Sequence, residues 1–113
     1  MQQFCKVNGV EYPAIGFDGK LRDAEWDNRF TKVINIRMTY AQAVELFTDG
    51  VAWSIVDRWV DEETGEEMTQ EYDNSELCIP GPITDNRDGT LSIKMGKETD
   101  LEEAYELLYG GEI

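Results

Sequence analysis

The dipeptide Asn8-Gly9 restricts the folding of this chain more than any other short feature of the sequence. It lies between two runs in which apolar and polar residues alternate, residues 4–7 and 10–13. A type I′ turn needs positive φ at both central positions, and Asn-Gly adopts this conformation readily. The sequence therefore predicts an N-terminal β-hairpin. Pro13 is predicted to end the second strand or to place it at a sheet edge, because proline has no backbone N–H.

Alternating segments continue along most of the chain, and turn residues separate them. After a loop that contains Gly16 and Gly19, strands are predicted at residues 20–26, 30–38, 51–60, 68–72, 77–79, 83–84 and 90–95. The strand at residues 77–79 is expected to leave by a rigid bend at Pro80-Gly81-Pro82. Consecutive strands joined by short turns imply antiparallel pairing.

Two capping boxes predict where helices begin. Thr39–Gln42 and Thr99–Glu102 each place a Thr hydroxyl three residues before a Gln or Glu, so that the two side chains cap free amides of the first turn. Apolar stripes at helical spacing follow, namely Tyr40, Ala43, Val44 and Phe47, then Leu101, Ala104, Tyr105 and Leu108. Helices are thus predicted at about 39–48 and 100–109.

The fold class that these elements predict is α+β. We expect mainly an antiparallel β-sheet, or a small barrel of hairpins, with the two short helices covering one face or an open end. A chain of 113 residues has the length of one domain, so residues 1–113 are predicted to form a single domain.

The charge of the chain is strongly negative and unevenly placed. There are 24 Asp and Glu residues against 10 Lys and Arg, a formal net charge of -14, and residues 61–113 hold 16 of the acids and three of the bases. Nucleic acid and anionic lipid both need cationic patches, so neither is expected to bind directly. A basic protein would be attracted. The sequence also lacks an apolar run that could span a bilayer and a recognisable secretory signal.

Several kinds of chemistry are disfavoured. The sequence has no histidine, which removes Ser-His-Asp and Cys-His nucleophile pairs and His-containing zinc sites. Residues 85–89 are interpreted as a hairpin turn and not a calcium loop, since Arg87 stands where a ligand should be. Cys5 and Cys78 are interpreted as buried thiols, with a disulfide left open if the fold joins their strands. We predict no enzyme activity and no catalytic, cofactor-binding or metal-binding residues.

The most acidic stretch, residues 61–76, contains eight carboxylates and no base. Thr64-Gly65 indicates a turn, so this stretch is predicted to be the tip and returning strand of a hairpin. A solvated tip is a sufficient explanation of such a charge run. As a candidate interaction surface we take the side chains Glu62, Glu63, Glu66, Glu67, Glu71 and Trp59.

From about Met38 onward, and most of all in ITDNRDGTLSIKMGKETDLEEAYELLYGG, the chain resembles small uncharacterised proteins of phages and prophages in Gram-positive gut bacteria. The resemblance covers about residues 38–111. It implies a phage or mobile-element origin, a virion or assembly role, and a location in the bacterial cytoplasm or within a virion. It carries over no functional residues.

Three hypotheses of function follow. The first is a phage structural or assembly accessory protein that contacts another phage structural protein or a second copy of itself. The second is an acidic mimic of nucleic acid that inhibits a host DNA-binding or defence protein, which needs rows of carboxylates at phosphate-like spacing on one face. The third, an enzyme, would need a deep pocket with a buried acid beside Trp26 or Trp59.

Overall fold

The computed structural model of the protein describes residues 1–105 and residue 108, with the side chains of residues 20 and 21 excepted. Within this part of the chain there are seven strands and two helices. In chain order they are β1 (Gln2–Val7), β2 (Val10–Asp23), β3 (Arg29–Ile36), α1 (Tyr40–Leu46), β4 (Trp53–Val60), β5 (Glu67–Asp73), β6 (Ile79–Asp85), β7 (Leu91–Gly96) and α2 (Asp100–Tyr105).

All seven strands join one antiparallel sheet in the order β5-β4-β1-β2-β3-β7-β6. The predicted α+β class is confirmed. Of the two architectures expected, the open sheet is the one that forms, because β5 and β6 are its two edges in the described residues and do not pair with each other.

The sheet bends at β2, which is shared between its two halves. Residues 10–14 of β2 pair with β1, and residues 14–23 pair with β3. A register shift follows Ala14, and a bulge of this kind increases the local bend and twist of a strand. The bend brings Phe17 of β2 against Trp53 of β4 with ring centroids 6.4 Å apart, although β1 lies between the two strands.

The predicted end of the second strand at Pro13 is wrong, and so is the glycine loop expected after it, because β2 continues through both. Val7 and Val10 flank a two-residue turn and form a hydrogen-bonded pair, so the alternation of the ladder turns the Pro13 nitrogen away from β1. β3 pairs with β2 only from Ala14 onward. Pro13 therefore interrupts no bond between β2 and β3, and lies at a local edge.

The bend predicted at Pro80-Gly81-Pro82 is also wrong. β6 runs through these residues, with a register shift against β7 between Pro80 and Ile83. Proline is tolerated here because one side of an edge strand has no partner. The position of β6 in the sheet, which local sequence does not reveal, decides this outcome.

One face of the sheet, here called the inner face, carries the core. Its buried strand residues are Cys5, Val7, Ile34, Ile36, Trp53, Ile55, Leu91, Ile93 and Met95. Ala43 and Phe47, contributed by α1 and its C-cap, pack on this face together with Val51 and Leu77. The Trp53 indole Nε1 donates to the Leu77 carbonyl at 2.8 Å, which satisfies the polar group of the largest core side chain. The opposite side of the sheet is here called the outer face.

Both helices form near the predicted positions. The Gln42 amide donates to the Thr39 hydroxyl at 3.1 Å, and α1 buries Ala43 while Tyr40 and Val44 of the predicted stripe stay exposed. α1 thus covers the inner face with half of its stripe. Gly50 follows the helix in a left-handed conformation, with a φ of 83°.

The second capping box is complete, since the Glu102 amide donates to the Thr99 hydroxyl at 3.2 Å and the Thr99 amide donates to Glu102 Oε1 at 2.9 Å. The described part of α2 buries none of its residues, so the stripe of Leu101, Ala104, Tyr105 and Leu108 is exposed. Residues 106, 107 and 109 of the predicted helix lie outside the described residues.

The two cysteines are free thiols. Cys5 is fully buried as expected, and desolvation raises its pKa to about 12, whereas Cys78 is only half-buried. The predicted turn at residues 85–89 is confirmed: the Asn86 amide donates to the Thr90 carbonyl at 3.1 Å, and Gly89 has a φ of 88°. In the described part of the chain, no three acids or cysteines cluster as a metal site would require.

Candidate functional site

The tip of the β4–β5 hairpin is ordered by one carboxylate. Asp61 Oδ1 accepts hydrogen bonds from the Glu63 amide at 2.8 Å and the Thr64 amide at 3.0 Å, and Gly65 completes the turn with a φ of 72°. The bonds from the Thr64 and Glu63 amides lower the pKa of Asp61, because they stabilise its charged form. With Asp61 used in this way, the exposed side chains of Glu62, Glu63 and Glu66 are the carboxylates that the tip presents to solvent.

β5 returns from the tip with all seven of its residues exposed. Because side chains alternate along a strand, its two sides differ in chemistry. Glu67, Thr69, Glu71 and Asp73 lie on the outer face, and Met68, Gln70 and Tyr72 lie on the inner side beyond the covered core. Met68 is 37% exposed and Tyr72 is 45% exposed. β5 is thus acidic on one side and largely apolar on the other.

The predicted interaction residues are brought to one hairpin, on three different sides of it. Glu62, Glu63 and Glu66 lie at the tip, while Glu67 and Glu71 lie on the outer side of β5. Trp59 lies on the inner side of β4, directly opposite Met68 in the pairing register, and is half-buried. These side chains therefore surround the hairpin and its free edge, and do not form one flat patch.

Sequence reasoning missed a cation on the outer face that organises the same hairpin. Arg58 donates through Nη1 and Nη2 to the two carboxylate oxygens of Glu11 at 3.0 and 3.1 Å. Its guanidinium lies 4.9 Å from the centre of the Phe4 ring, and its Nε is 3.4 Å from Glu67 Oε1. The bond from Arg58 lowers the pKa of Glu11. Residues of β5, β4, β1 and β2 are joined in this way across the outer face.

A second ion pair holds the middle of β5. Lys6 Nζ of β1 lies 3.1 Å from Glu71 Oε1, again on the outer face. The alternation of side chains within β1 and within β4 places Lys6 and Arg58 on the outer face. That these cations meet Glu71 and Glu67 follows only from the strand order, in which β1 and β5 both lie beside β4. The long sequence separation of these partners explains why no local pattern indicated them.

The acids of β5 and α2 do not form the single uncompensated row that the mimicry hypothesis needs. On β5, Glu67 and Glu71 each have a cation within 3.4 Å and 3.1 Å respectively. Asp73 accepts from the Ser75 hydroxyl and the Ser75 amide, and its pKa is lowered by these two bonds. Glu102 lies on α2, where it pairs with Arg29 at 2.9 Å. A surface that imitates phosphates needs carboxylates that stay free to meet cations of a partner.

A broad depression lies beside the β4–β5 hairpin and is lined by residues of both of its faces. It has a volume of about 1080 Å³, and Met1, Asp57, Trp59, Val60, Gln70 and Tyr72 are among the residues that line it. The carboxylate of Asp57 accepts from Gln3 Nε2 at 3.0 Å. Val60, at the end of β4, is 62% exposed. Exposed apolar side chains beside such a depression are typical of a surface that binds another protein.

Trp26, the other tryptophan that the enzyme hypothesis names, packs against the sheet. A Cβ placed on Gly81 or on Gly96 would lie 2.8 Å from the Trp26 ring, so the indole packs directly on the backbones of β6 and β7. The Arg29 guanidinium lies 4.6 Å from the ring centre. Asp23, the buried acid nearest in sequence, pairs with Lys94 Nζ at 2.6 Å. These contacts are those of a packed and paired cluster.

Comparison with known proteins adds nothing to this geometry, since no family model, curated protein or solved structure matches the chain. The resemblance to phage proteins therefore stays a prediction. Neither helix, as far as the chain is described, has the length and apolar character needed to cross a membrane.

Proposed function

We propose that this protein is a phage or prophage structural or assembly accessory protein that acts through protein–protein contacts and performs no catalysis. The contact surface in this proposal is the β4–β5 hairpin surface, defined as the exposed side chains of residues 59–73. The observation that carries the proposal is the exposure of Met68 and Tyr72 on the inner side of the edge strand β5, beside half-buried Trp59. Aromatic and methionine side chains are enriched in protein interfaces.

The phage context comes from the sequence resemblance, which implies a location in the bacterial cytoplasm or within a virion. The partner would be another structural protein of the same phage or a second copy of this chain. The charge supports a partner with a basic surface, since residues 61–76 carry eight acids and no base. Opposite potentials accelerate encounter and discriminate against wrong partners.

The test is complex formation between the purified protein and candidate phage head and tail proteins, measured by size-exclusion chromatography with light scattering. The double variant Met68→Ser, Tyr72→Ser removes exposed apolar area from the hairpin surface. The matched control Leu101→Ser removes an exposed apolar side chain from α2. We expect the hairpin variant to weaken the complex about tenfold or more, and the control to leave it unchanged.

A strictly monomeric protein that binds none of these partners would contradict the proposal. Loss of binding in Leu101→Ser alone would contradict the choice of the hairpin surface, because it would place the contact on α2.

The acids of the tip, together with Glu67 at the start of β5, have their own test. Replacement of Glu62, Glu63, Glu66 and Glu67 with Gln removes charge and keeps side-chain size. If the tip steers a basic partner, the association rate falls and its dependence on salt weakens. Unchanged binding would assign these acids to solubility.

The nucleic-acid mimic is the second candidate, and the alternation of β5 is what favours it, since Glu67, Glu71 and Asp73 share one side. Its carboxylates are already engaged by Arg58, Lys6 and Ser75, which is why we place it second. Competition with duplex DNA for a basic DNA-binding protein would be its signature, and neutralising the row with Glu67→Gln, Glu71→Gln and Asp73→Asn would abolish that competition.

A further inference from the structure

The two edges of the sheet differ in how well they are protected against an additional strand. β6 carries Pro80 and Pro82 and a register shift against β7, and such features block pairing at an exposed edge. β5 contains no proline, and its register with β4 is continuous from Glu67 to Asp73. In the described residues no strand pairs with the open edge of β5, the edge that faces away from β4. β5 is therefore the edge at which a strand can be added.

Two backbone hydrogen bonds establish which groups of β5 face β4. The Asp61 amide donates to the Glu66 carbonyl at 2.9 Å, and the Asn74 amide donates to the Trp53 carbonyl at 2.9 Å. Hydrogen-bonded and non-hydrogen-bonded pairs alternate along an antiparallel ladder. Glu66 and Asn74 both belong to hydrogen-bonded pairs, and they lie an even number of positions apart along the continuous register. Every second residue between them therefore also belongs to a hydrogen-bonded pair with β4.

The backbone groups of β5 therefore fall into two sets, those that bond to β4 and those that point away from it. The N–H and C=O groups of Met68, Gln70 and Tyr72 bond to β4. Those of Glu67, Thr69, Glu71 and Asp73 point away from β4, toward the open edge. The residues that offer free backbone groups are thus the same residues whose side chains form the acidic outer side of β5.

This coincidence determines what kind of strand fits. Side chains of an added strand would stand beside those of β5 on both faces of the sheet. On the outer side its neighbours would be Glu67, Glu71 and Asp73. Although Arg58 and Lys6 pair with acids there, these three and Glu11 make four acids against two bases, so the outer side stays net negative and favours lysine or arginine at every second position. On the inner side its neighbours would be Met68 and Tyr72, which favour apolar or aromatic residues at the positions between.

A second copy of this chain does not fit the same edge. Antiparallel pairing of β5 with itself would set Glu67 opposite Asp73 of the other copy. In a register shifted by two residues, Glu71 would stand opposite Glu67 or Glu71 of the other copy. Like charges placed opposite each other destabilise a strand pair. The acidic side of β5 thus excludes self-pairing and selects a basic strand, which is how edge strands are kept from unwanted association.

We propose that β5 binds an extended segment of a partner protein by strand addition, and that this segment alternates basic residues with apolar or aromatic residues. This rests on the proposed function and specifies the mode of contact and the class of partner. The new bonds would join the free N–H and C=O groups of Glu67, Thr69, Glu71 and Asp73 to the backbone of the segment, while side chains supply specificity.

The test uses a synthetic peptide with blocked termini, Lys-Phe-Lys-Val-Lys-Phe-Lys, as the probe. The control peptide has the same composition with its lysines grouped, Lys-Lys-Lys-Lys-Phe-Val-Phe. We expect the alternating peptide to bind the full chain about tenfold more tightly than the grouped peptide. We also expect amide hydrogen exchange to slow at Glu67, Thr69, Glu71 and Asp73 when the alternating peptide is bound.

A matched pair of variants isolates the backbone contribution. Thr69→Pro removes one outward N–H and leaves the bonds to β4, which an edge strand tolerates. Thr69→Ala keeps that N–H and, like the proline variant, loses the hydroxyl that accepts from Arg58 Nε at 3.3 Å. We expect Thr69→Ala to bind the alternating peptide as the unmodified protein does, and Thr69→Pro to bind it about tenfold more weakly.

Strand addition would be overturned if both peptides bound equally and the amides of Glu67, Thr69, Glu71 and Asp73 did not slow in the unmodified protein. This measurement uses the unmodified protein, so it does not depend on how well Thr69→Pro folds. The proposed function fails by a different result, the absence of any complex with the phage structural proteins. A complex that is lost in Met68→Ser, Tyr72→Ser and retained in Thr69→Pro would keep the hairpin surface and reject the added strand.

Discussion

Arg29 at the start of β3 and Glu102 in α2 form an ion pair that joins the last helix to the sheet, with Nη1 2.9 Å from Oε1. Only 4% of Arg29 is exposed. The same guanidinium donates to the Lys97 carbonyl at 3.2 Å and lies over Trp26. The described part of α2 buries no side chain, so the Arg29–Glu102 pair is a polar contact that ties it to the sheet.

Arg29→Met is therefore expected to release α2 and lower the free energy of unfolding. Breaking a fully buried ion pair costs about 3–5 kcal/mol, and because Glu102 is 43% exposed to water we expect about 2 kcal/mol here. Urea unfolding followed by tryptophan fluorescence measures the change. Arg22→Met is the control: Arg22 is an exposed arginine that also lies over an aromatic ring, that of Phe30. A loss as large in Arg22→Met would argue against a special role for Arg29.

The ion pair should also weaken in acid. The Thr99 amide and Arg29 lower the pKa of Glu102 from its ordinary value of 4.5. The charged carboxylate therefore stabilises the folded state at pH values above 4.5, and this contribution disappears as the pH falls through the lowered pKa. We expect Glu102→Gln to be less stable than the unmodified protein at neutral pH, with the difference shrinking below pH 4.5. A difference that stays constant to pH 2 would show that the charge of Glu102 contributes nothing.

Thr31→Val is expected to stabilise the protein. Thr31 is buried in β3, and its hydroxyl has no hydrogen-bond partner among the described residues. A buried hydroxyl without a partner loses its bonds to water, so a methyl group of similar size should raise the free energy of unfolding by about 1 kcal/mol. Thermal unfolding measures the shift, with the exposed Thr84→Val as a control that should change little. Destabilisation by Thr31→Val would mean that the hydroxyl is satisfied.

Gly81→Ala should be costly and Gly16→Ala harmless, although both glycines lie within strands. A Cβ on Gly81 would meet the Trp26 ring at 2.8 Å and the Lys94 carbonyl at 3.1 Å, whereas a Cβ on Gly16 has no neighbour within 4 Å. Overpacking of this kind costs about 1–3 kcal/mol. Urea unfolding and the emission of Trp26 should both change in Gly81→Ala alone. Equal stability of the two variants would contradict the close packing of Trp26.

Neutralising the outer side of β5 should permit self-association. Glu67→Gln with Glu71→Gln removes the like charges that oppose pairing of two β5 strands, so a concentration-dependent dimer is expected. Light scattering over a range of concentrations measures it. Glu62→Gln with Glu63→Gln removes the same number of charges at the tip and should leave the oligomeric state unchanged. Dimerisation of both variants would point to reduced net charge and not to the edge.

Features that depend on a few neighbouring residues could be predicted from sequence. The Asn8-Gly9 turn forms with φ values of 52° and 81°, and the Thr99–Glu102 capping box forms with both of its bonds. In each case the groups that interact lie within four residues, so their chemistry alone determines the local conformation. The acidic hairpin of residues 61–73 was predicted for the same reason.

Features that depend on strand order could not be predicted. Pro13 lies inside a strand because β3 begins its pairing just beyond it, and Pro80 lies inside a strand because β6 is an edge. The partners in the Arg58–Glu11 pair are 47 residues apart, and those in the Arg29–Glu102 pair are 73 residues apart. No periodic pattern reports which distant strands become neighbours.

The sequence by itself thus determined the α+β class, the turns and helix starts, and the position of the acidic hairpin, because local conformational preference and alternation of side chains are enough for these. The tertiary structure alone decided that β5 is the unprotected edge, that Arg58 and Lys6 meet its acids, and that Met68 and Tyr72 stay exposed beside them. The physical reason is that an edge is defined by which strand is missing beside it, and this follows only from the packing of the whole sheet.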